Sequence, residues 1–420
     1  MNSTNPSAPR VAVIGAGIAG ASCAASLRKA GLAVTVFDKS RGLGGRMATR
    51  RAQWVASDGS TQHAEFDHGA QHIQARFPRF KAALRRAVDA GVVAPWAPRV
   101  HAAWPAPARR ESWVPVAPDS AHGSGVGSES DGGTGTGHLG PMPALVRHLI
   151  ADTPVHLNFQ VQRLQRDSQG WRVVAVDGSS HGPFDQVLLA MPPTQAALLL
   201  AGHHDQWADA LAEVRMQACW TLMAVTQDMD WPWDACEPEH RAGQKESALA
   251  WVARNDRKPG RSAPAGTAVW VAQASAAWSA AHLESAPASV QTALSTTLAA
   301  LLPLGTKPQW QFRAVHRWRY AAAAPVLADA ASKASTDNAS LALDCWWDRS
   351  RGLGVCGDFM AGGADLAGGV EAAWRSGDEL ADTLLAALDE ETVPALSLVD
   401  SPQDPAVVRH DRNHDLAHAA

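Results

Sequence analysis

A single tyrosine, Tyr320, stands in a chain of 420 residues that includes 17 tryptophans and eight phenylalanines. An aromatic cage built on a tyrosine pair is therefore not available. Tryptophan serves either as core filler or as the wall of a pocket for a flat molecule. Cysteine is sparse as well. Cys23, Cys219, Cys236, Cys345 and Cys356 include no CxxC pair, which argues against a disulfide frame or a zinc site and suits reduced thiols. No apolar run approaches the roughly 18–20 residues of a membrane span. The opening MNSTNPSAPR lacks the apolar core of a secretory signal. With a formal net charge of -4 and 19% charged residues, the chain has no basic excess for nucleic acid or anionic lipid. What remains is a cytoplasmic protein acting on small molecules.

Into this composition is set one strongly patterned stretch. VAVIG predicts a buried strand, GIAGASCAASLRKAG a helix closed by Gly31, and LAVTVFD a second strand. Strand, helix and strand in about 30 residues make a βαβ unit with parallel neighbours. Gly15-Ala16-Gly17-Ile18-Ala19-Gly20 sits at its first turn and matches G-x-G-x-x-G, and Asp38 ends the second strand. Gly15 permits the tight turn, Gly17 admits a diphosphate against the backbone, and Gly20 lets helix and strand pack closely. The helix N-terminus offers free N–H groups to phosphate, and Asp38 offers acceptors to a ribose. This turn alone does not choose between FAD and NAD.

The next residues do. VFDKSRGLGGRMATRR carries Lys39, Arg41, Arg46, Arg50 and Arg51 among three glycines, Gly42, Gly44 and Gly45. The stretch resembles the second signature of the FAD-binding amine-oxidase superfamily, in which a GGR segment lies along the cofactor diphosphate. Arg46 is placed to fork onto phosphate oxygens. Lys39, Arg41, Gly45 and Met47 complete the candidate cofactor set here, while Arg50 and Arg51 are left without a role.

A narrower resemblance runs from about residue 10 to 388. FDHGAQHI (Phe66–Ile73), NDRKPGR (Asn255–Arg261), WVAQASAAWSAAHLE (Trp270–Glu284), HRWRYA (His316–Ala321) and GVCGDFMAGG…GGVEAAWRSGDELA together resemble the renalase family. The resemblance implies non-covalent FAD and an amine-oxidase-like fold. It also implies oxidation of misreduced nicotinamide dinucleotides, with O2 reoxidising the flavin. Carried over, it puts Asp67, His68, Gly69, Ala70 and Gln71 beside the flavin ring, where Gly69 and Ala70 leave room for a plane. Gly357 and Asp358 fall at the ribitol or diphosphate, Gly369 and Val370 at the flavin pyrimidine, and Val161 at the adenine. Glu371 reads as a helix-start residue rather than a base.

The fold class expected is α/β: a Rossmann-like FAD-binding domain with an inserted mixed-sheet α+β substrate domain. The cofactor domain is assigned 10–75, 141–195 and 340–388, and the substrate domain 76–118 and 196–339. Residues 1–9 form a disordered tail, 119–140 a flexible Gly/Ser loop, and 389–420 a polar tail. His68, His316 and Arg319 are the candidate catalytic residues, with Arg317 as a further contact and Trp318 and Trp278 as walls. Surface strand or core packing is the other reading of each. Cys356 reads as a buried thiol and not a flavin attachment point. His410, His414 and His418 recur at helical spacing in the tail, but no metal is required. The alternatives kept open are a flavin amine oxidase and a non-enzymatic FAD-binding protein.

Overall fold

The computed structural model describes residues 8–102, 112–115, 142–238, 247–302, 307–323, 344–360 and 369–392. The Gly/Ser loop and the three tail histidines lie outside them. β1 (Arg10–Ile14) and β2 (Ala33–Phe37) pair in parallel across α1 (Ile18–Lys29), as the apolar run and its turn glycines dictate. Gly31 takes φ 92 just past α1. Its N–H bonds to Arg28 O and the Leu32 N–H to Leu27 O, a helix end that glycine allows without a Cβ penalty.

β1 lies in the middle of a six-stranded sheet in the order Cys345–Asp348, Leu353–Cys356, Gln186–Leu189, β1, β2, Val155–His156. Val11 and Val13 point to α1, whereas Ala12 and Ile14 point to a second apolar layer with Trp171 and Leu189. Both faces are covered, which explains an apolar run without alternation. A long C-terminal helix, Val370–Thr392, crosses α1 so closely that a Cβ on Gly377 would collide with Ala19 O. That helix outruns the expected boundary at 388, since no glycine or proline follows that residue before Pro394. The helix α2 (Pro78–Asp89) also differs from expectation. Its apolar face, Phe80, Leu84 and Ala87, joins the α1 core rather than the substrate side.

A second six-stranded sheet runs Trp310–Ala323, Met216–Gln227, Thr267–Ala274, Leu249–Arg254, Ala235–Glu237, Val100–Ala102. Pairing is antiparallel except for the last, parallel pair. Trp220, Trp231 and Trp270 fill one face with the helix Pro287–Leu301, so these tryptophans are core. The other face, with Met223, Val225, Val269 and Val271, is covered by Phe66 and Ala64. Those two residues belong to a hairpin, β3 (Arg50–Val55) and β4 (Thr61–Phe66), that leaves directly from the GGR segment. The hairpin therefore carries the chain from the first sheet onto the second, and the site lies between them.

Candidate functional site

A cleft of 2230 Å³ runs between the two sheets. At one end Val161 is joined by Val176 and Leu198, apolar side chains that are 57% and 76% exposed and suit one face of a flat heterocycle. In the middle lie Gly15, Gly17, Asp38, Lys39, Arg41, Gly45 and Met47. At the far end His68 to Gln71 meet Gly357, Asp358, Gly369, Val370 and His316 to Ala322.

The glycine turn is built from main chain. Gly15 has φ 117, and a Cβ there would strike the Ala190 carbonyl. Gly20 abuts Gly15 O and Ala190 Cβ, so it serves helix–strand packing and not the cleft. Before Gly17, by contrast, no heavy atom lies within 4 Å of an added Cβ. Beside that open space Ile18 and Ala19 begin α1, whose first N–H groups have no intrahelical acceptor. This arrangement suits a diphosphate, and the apolar end beyond it suits an adenine. Asp38 reaches back to tie the turn: Ala16 N donates to its Oδ2 at 2.7 Å and Ser40 N to its Oδ1 at 2.7 Å. Ala16 is thus turned to protein, while each Asp38 oxygen keeps further acceptor capacity for a ribose. Gly44 N donates to Ala16 O at 3.0 Å, so the GGR segment is hydrogen-bonded to the glycine turn.

Three expected roles change in the structure. Arg46 does not present an open fork. Its Nη1 and Nη2 each donate to Asp358 at 2.6 Å, and Nη1 also donates to Ala321 O at 3.1 Å. The Asp358 side chain is 2% exposed, so a planar two-bond partner is what satisfies it. Gly69 does not leave room for a ring. A Cβ on it would collide with Arg46 O and lie 3.3 Å from Trp318, and the neighbouring Ala70 N donates to Arg46 O at 2.8 Å. Glycine is needed there so that the two motifs can dock on each other. Asp67 does not line the cleft at all. It is fully buried, accepting from Thr49 Oγ1 at 2.8 Å, Lys258 Nζ at 3.2 Å and Arg261 Nη2 at 2.9 Å. Burial opposes its charge, yet Arg261 and Lys258 prevail and hold its carboxyl below the ordinary range. Burial pulls Lys258 down to about 8 against the attraction of Asp67. Lys258 also donates to Gln71 Oε1 at 3.3 Å, and Gln71 in turn donates to the Asp67 and Gly69 carbonyls. The NDRKPGR segment thereby props the floor of the cleft.

The far chamber is aromatic. His68 and His316 meet edge to face at 4.8 Å, and Trp318 lies 5.0 Å from the first ring and 4.4 Å from the second. Trp318 Nε1 donates to His68 O at 2.9 Å. Burial, then His316 and Arg50, push His68 down to about 4; burial and Arg50 lower His316 as well. Burial and Lys258 take His72 to about 4. All three imidazoles are therefore neutral near pH 7. Nδ1 of His68, Nδ1 of His72 and Nε1 of Trp251 are buried here without a hydrogen-bond partner among the described residues. His72, Trp251, Cys219 and Gln273, which also line the chamber, were not singled out from sequence. Trp278 does not wall it; its ring stacks on His282 at 4.0 Å instead. Arg317 and Arg319 line the cleft, and Glu284 holds both at its edge, accepting at 3.0 and 2.6 Å. Glu371 accepts from Arg76 N and Phe77 N, each at 2.7 Å, and so fixes the start of the C-terminal helix. Cys356 is fully buried, and burial pushes its thiol up.

Comparison with known proteins adds to this geometry. A model for an NAD(P)-binding Rossmann-like domain matches residues 13–87, and one for flavin containing amine oxidoreductase matches residues 108–385. The tRNA 5-methylaminomethyl-2-thiouridine biosynthesis bifunctional protein MnmC of Magnetococcus marinus is 29% identical over 204 residues. That match spans 45% of this chain and only 30% of the relative. Cyclohexylamine oxidase from Brevibacterium oxydans is similar in structure, with TM-score 0.58 and 15% identity over 91% of this chain and 100% of that one. A reduced UDP-galactopyranose mutase gives TM-score 0.60 and 12% identity over 91% and 95%. At such identities the likeness is one of fold. Among the described residues, no helix is long and apolar enough to cross a membrane.

Proposed function

The chain belongs to the flavin containing amine oxidoreductase family, which makes it an FAD-dependent oxidoreductase, and from that premise we propose that it oxidises dihydronicotinamide isomers with O2 as acceptor. One observation carries the choice of substrate. Among the described residues, the cleft is lined by eight lysines and arginines and by two carboxylates, Asp38 and Asp358. Both acids are already engaged, Asp38 by main-chain N–H groups and Asp358 by Arg46. Of the cations, Arg46, Arg51, Arg317 and Arg319 are paired with Asp358, Glu65 or Glu284, which leaves Lys39, Arg41, Arg50 and Arg147 as the unbalanced charge. An ammonium substrate would enter a cationic cleft with no free counter-ion, whereas a phosphate-bearing dihydronicotinamide is drawn in.

In this reading Gly17 and the start of α1 hold the diphosphate of non-covalently bound FAD, Asp38 the ribose, and Val161 with Val176 and Leu198 the adenine. Gly369 and Val370, at the head of the C-terminal helix, lend N–H groups to the pyrimidine edge. The FAD held by these residues would supply hydride acceptance and electron transfer to O2. The protein's part is orientation. Trp318 and the neutral His68 and His316 offer an uncharged aromatic wall for the dihydropyridine.

Anaerobic mixing of the FAD-loaded protein with 2- and 6-dihydronicotinamide isomers and with alkylamines tests the reading. Bleaching of the flavin by the isomers alone is expected. Bleaching by amines alone assigns an amine oxidase, and bleaching by neither leaves an FAD-binding protein without this activity. Flavin released by acid denaturation checks non-covalent attachment.

A further inference from the structure

We propose that Gln273 recognises the carboxamide of the nicotinamide ring, and that through it the chamber selects the amide over the corresponding acid. The proposal rests on the dihydronicotinamide reading and names the group on the ring that is read.

One register row crosses four strands beneath the chamber. His316 lies opposite Thr221, Thr221 opposite Gln273, and Gln273 opposite Trp251. Cross-strand partners point to one face of a sheet, with Cβ atoms about 4.5–5.5 Å apart. His316, Gln273 and Trp251 line the cleft, and Thr221 among them is fully buried. The row thus sets one amide beside the Trp251 ring on one side and the small Thr221, then His316, on the other.

That amide is held in one orientation. Gln273 Nε2 donates to Gly69 O at 2.7 Å, and a carbonyl can be met only by the NH2 end of the side chain. Gln71 Nε2 donates to the same carbonyl at 3.2 Å, so both of its lone pairs are used. Gly69 is itself packed against Arg46 O, which fixes Gln273 relative to the GGR segment. Oε1 of Gln273 has no hydrogen-bond partner among the described residues, and unlike Nδ1 of His68 and His72 it is not buried. Gln71 differs here, because its Oε1 already accepts from Lys258 Nζ at 3.3 Å. A fixed acceptor that reaches the cleft asks for an N–H donor on the ligand. A carboxamide supplies one, whereas a carboxylate sets its own oxygens against Oε1. The cationic cleft draws the acid more strongly, so a preference for the amide has to arise from a local contact of this kind.

Nicotinamide mononucleotide and nicotinic acid mononucleotide are the probes, titrated into oxidised, FAD-loaded protein and followed by the change in flavin absorbance. The amide is expected to bind at least about tenfold more tightly than the acid. In Gln273→Leu and Gln273→Met, with FAD content retained, that ratio should fall to about one or below. A structural lesion would weaken both probes alike, so a ratio kept by both variants overturns the proposal. No preference in the unmodified protein, or no binding of either probe, overturns it too. So does loss of FAD from both variants, because the amide then serves the cofactor. If the preference depends on Gln273 while no dihydronicotinamide bleaches the flavin, the recognition stands and the reaction assigned above fails. If the isomers bleach the flavin and the ratio ignores Gln273, the reaction stands and the recognition fails.

Discussion

Along the cleft, the wall formed by the first sheet acts through main chain, whereas the wall formed by the second acts through rings and charged side chains. Around Gly15, Gly17 and Gly45 the chemistry is carbonyls, N–H groups and the space left by missing Cβ atoms. Across from them stand the rings of His68, His316 and Trp318, and Arg317 and Arg319, both held by Glu284. A main-chain wall is insensitive to pH and to most substitutions except those of glycine. A side-chain wall is tunable but depends on partners brought from far along the chain. Members of such a fold can therefore keep one wall for the cofactor and vary the other for the substrate.

The buried ion cluster under the second wall is the place to break this contrast most severely. Asp67→Ala leaves Lys258 and Arg261 buried without their carboxylate, and we expect a loss of about 3–5 kcal/mol in thermal or denaturant unfolding. A loss below 1 kcal/mol would show the cluster to be dispensable. Acid comes next. Burial above all lowers His68 and His72 to about 4 in the folded protein, against the ordinary 6.5 of the solvated imidazole in the unfolded chain. Between those values the unfolded chain binds protons that the native one refuses, so stability is full above 6.5 and falls as pH drops toward 4. The upper bound is about 3 kcal/mol for each ring. His68→Leu should flatten that fall, and an unchanged slope refutes the assignment.

The first wall is broken by glycine. Gly15→Ala forces a side chain into positive φ against Ala190 O and should cost about 2–3 kcal/mol of stability. Gly17→Ala meets open space, so the apoprotein should change by less than about 1 kcal/mol. FAD affinity should nevertheless drop by about tenfold or more, since the added methyl occupies the cofactor's approach. Equal effects on folding at the two glycines would erase the distinction between them. Last, Arg46→Ala should weaken FAD retention by about 1.5–3 kcal/mol. Because its fork grips Asp358, the comparison needs Asp358→Asn and the double variant. Additive losses would mean that each residue touches the cofactor independently.

Much of the first wall was legible in the sequence, for a physical reason. A glycine in a strand-to-helix turn records a backbone conformation, and G-x-G-x-x-G, Asp38 and the GGR segment are local enough to read together. The FAD fold and its family follow from them. The second wall is written in contacts that sequence order hides. Lys258 reaches Asp67 across 191 residues, and Arg46 reaches Asp358 across 312. No spacing rule distinguishes Trp278, stacked on His282, from Trp251, which lines the cleft. Gly69 was assigned to ligand clearance and is explained by docking against Arg46 O, because the same residue type serves either need.

Trp318 carries a last consequence. Its indole N–H is bound to the His68 carbonyl, its ring lies against two imidazoles, and its edge touches the position where Gly69 lacks a Cβ. The side chain has lost its rotamer freedom before any ligand arrives. That ordering entropy is charged to folding and not to binding, so a flat ligand meets a rigid template. Selection in the chamber then rests on fit to a fixed shape, and association there need not wait for a side chain to swing.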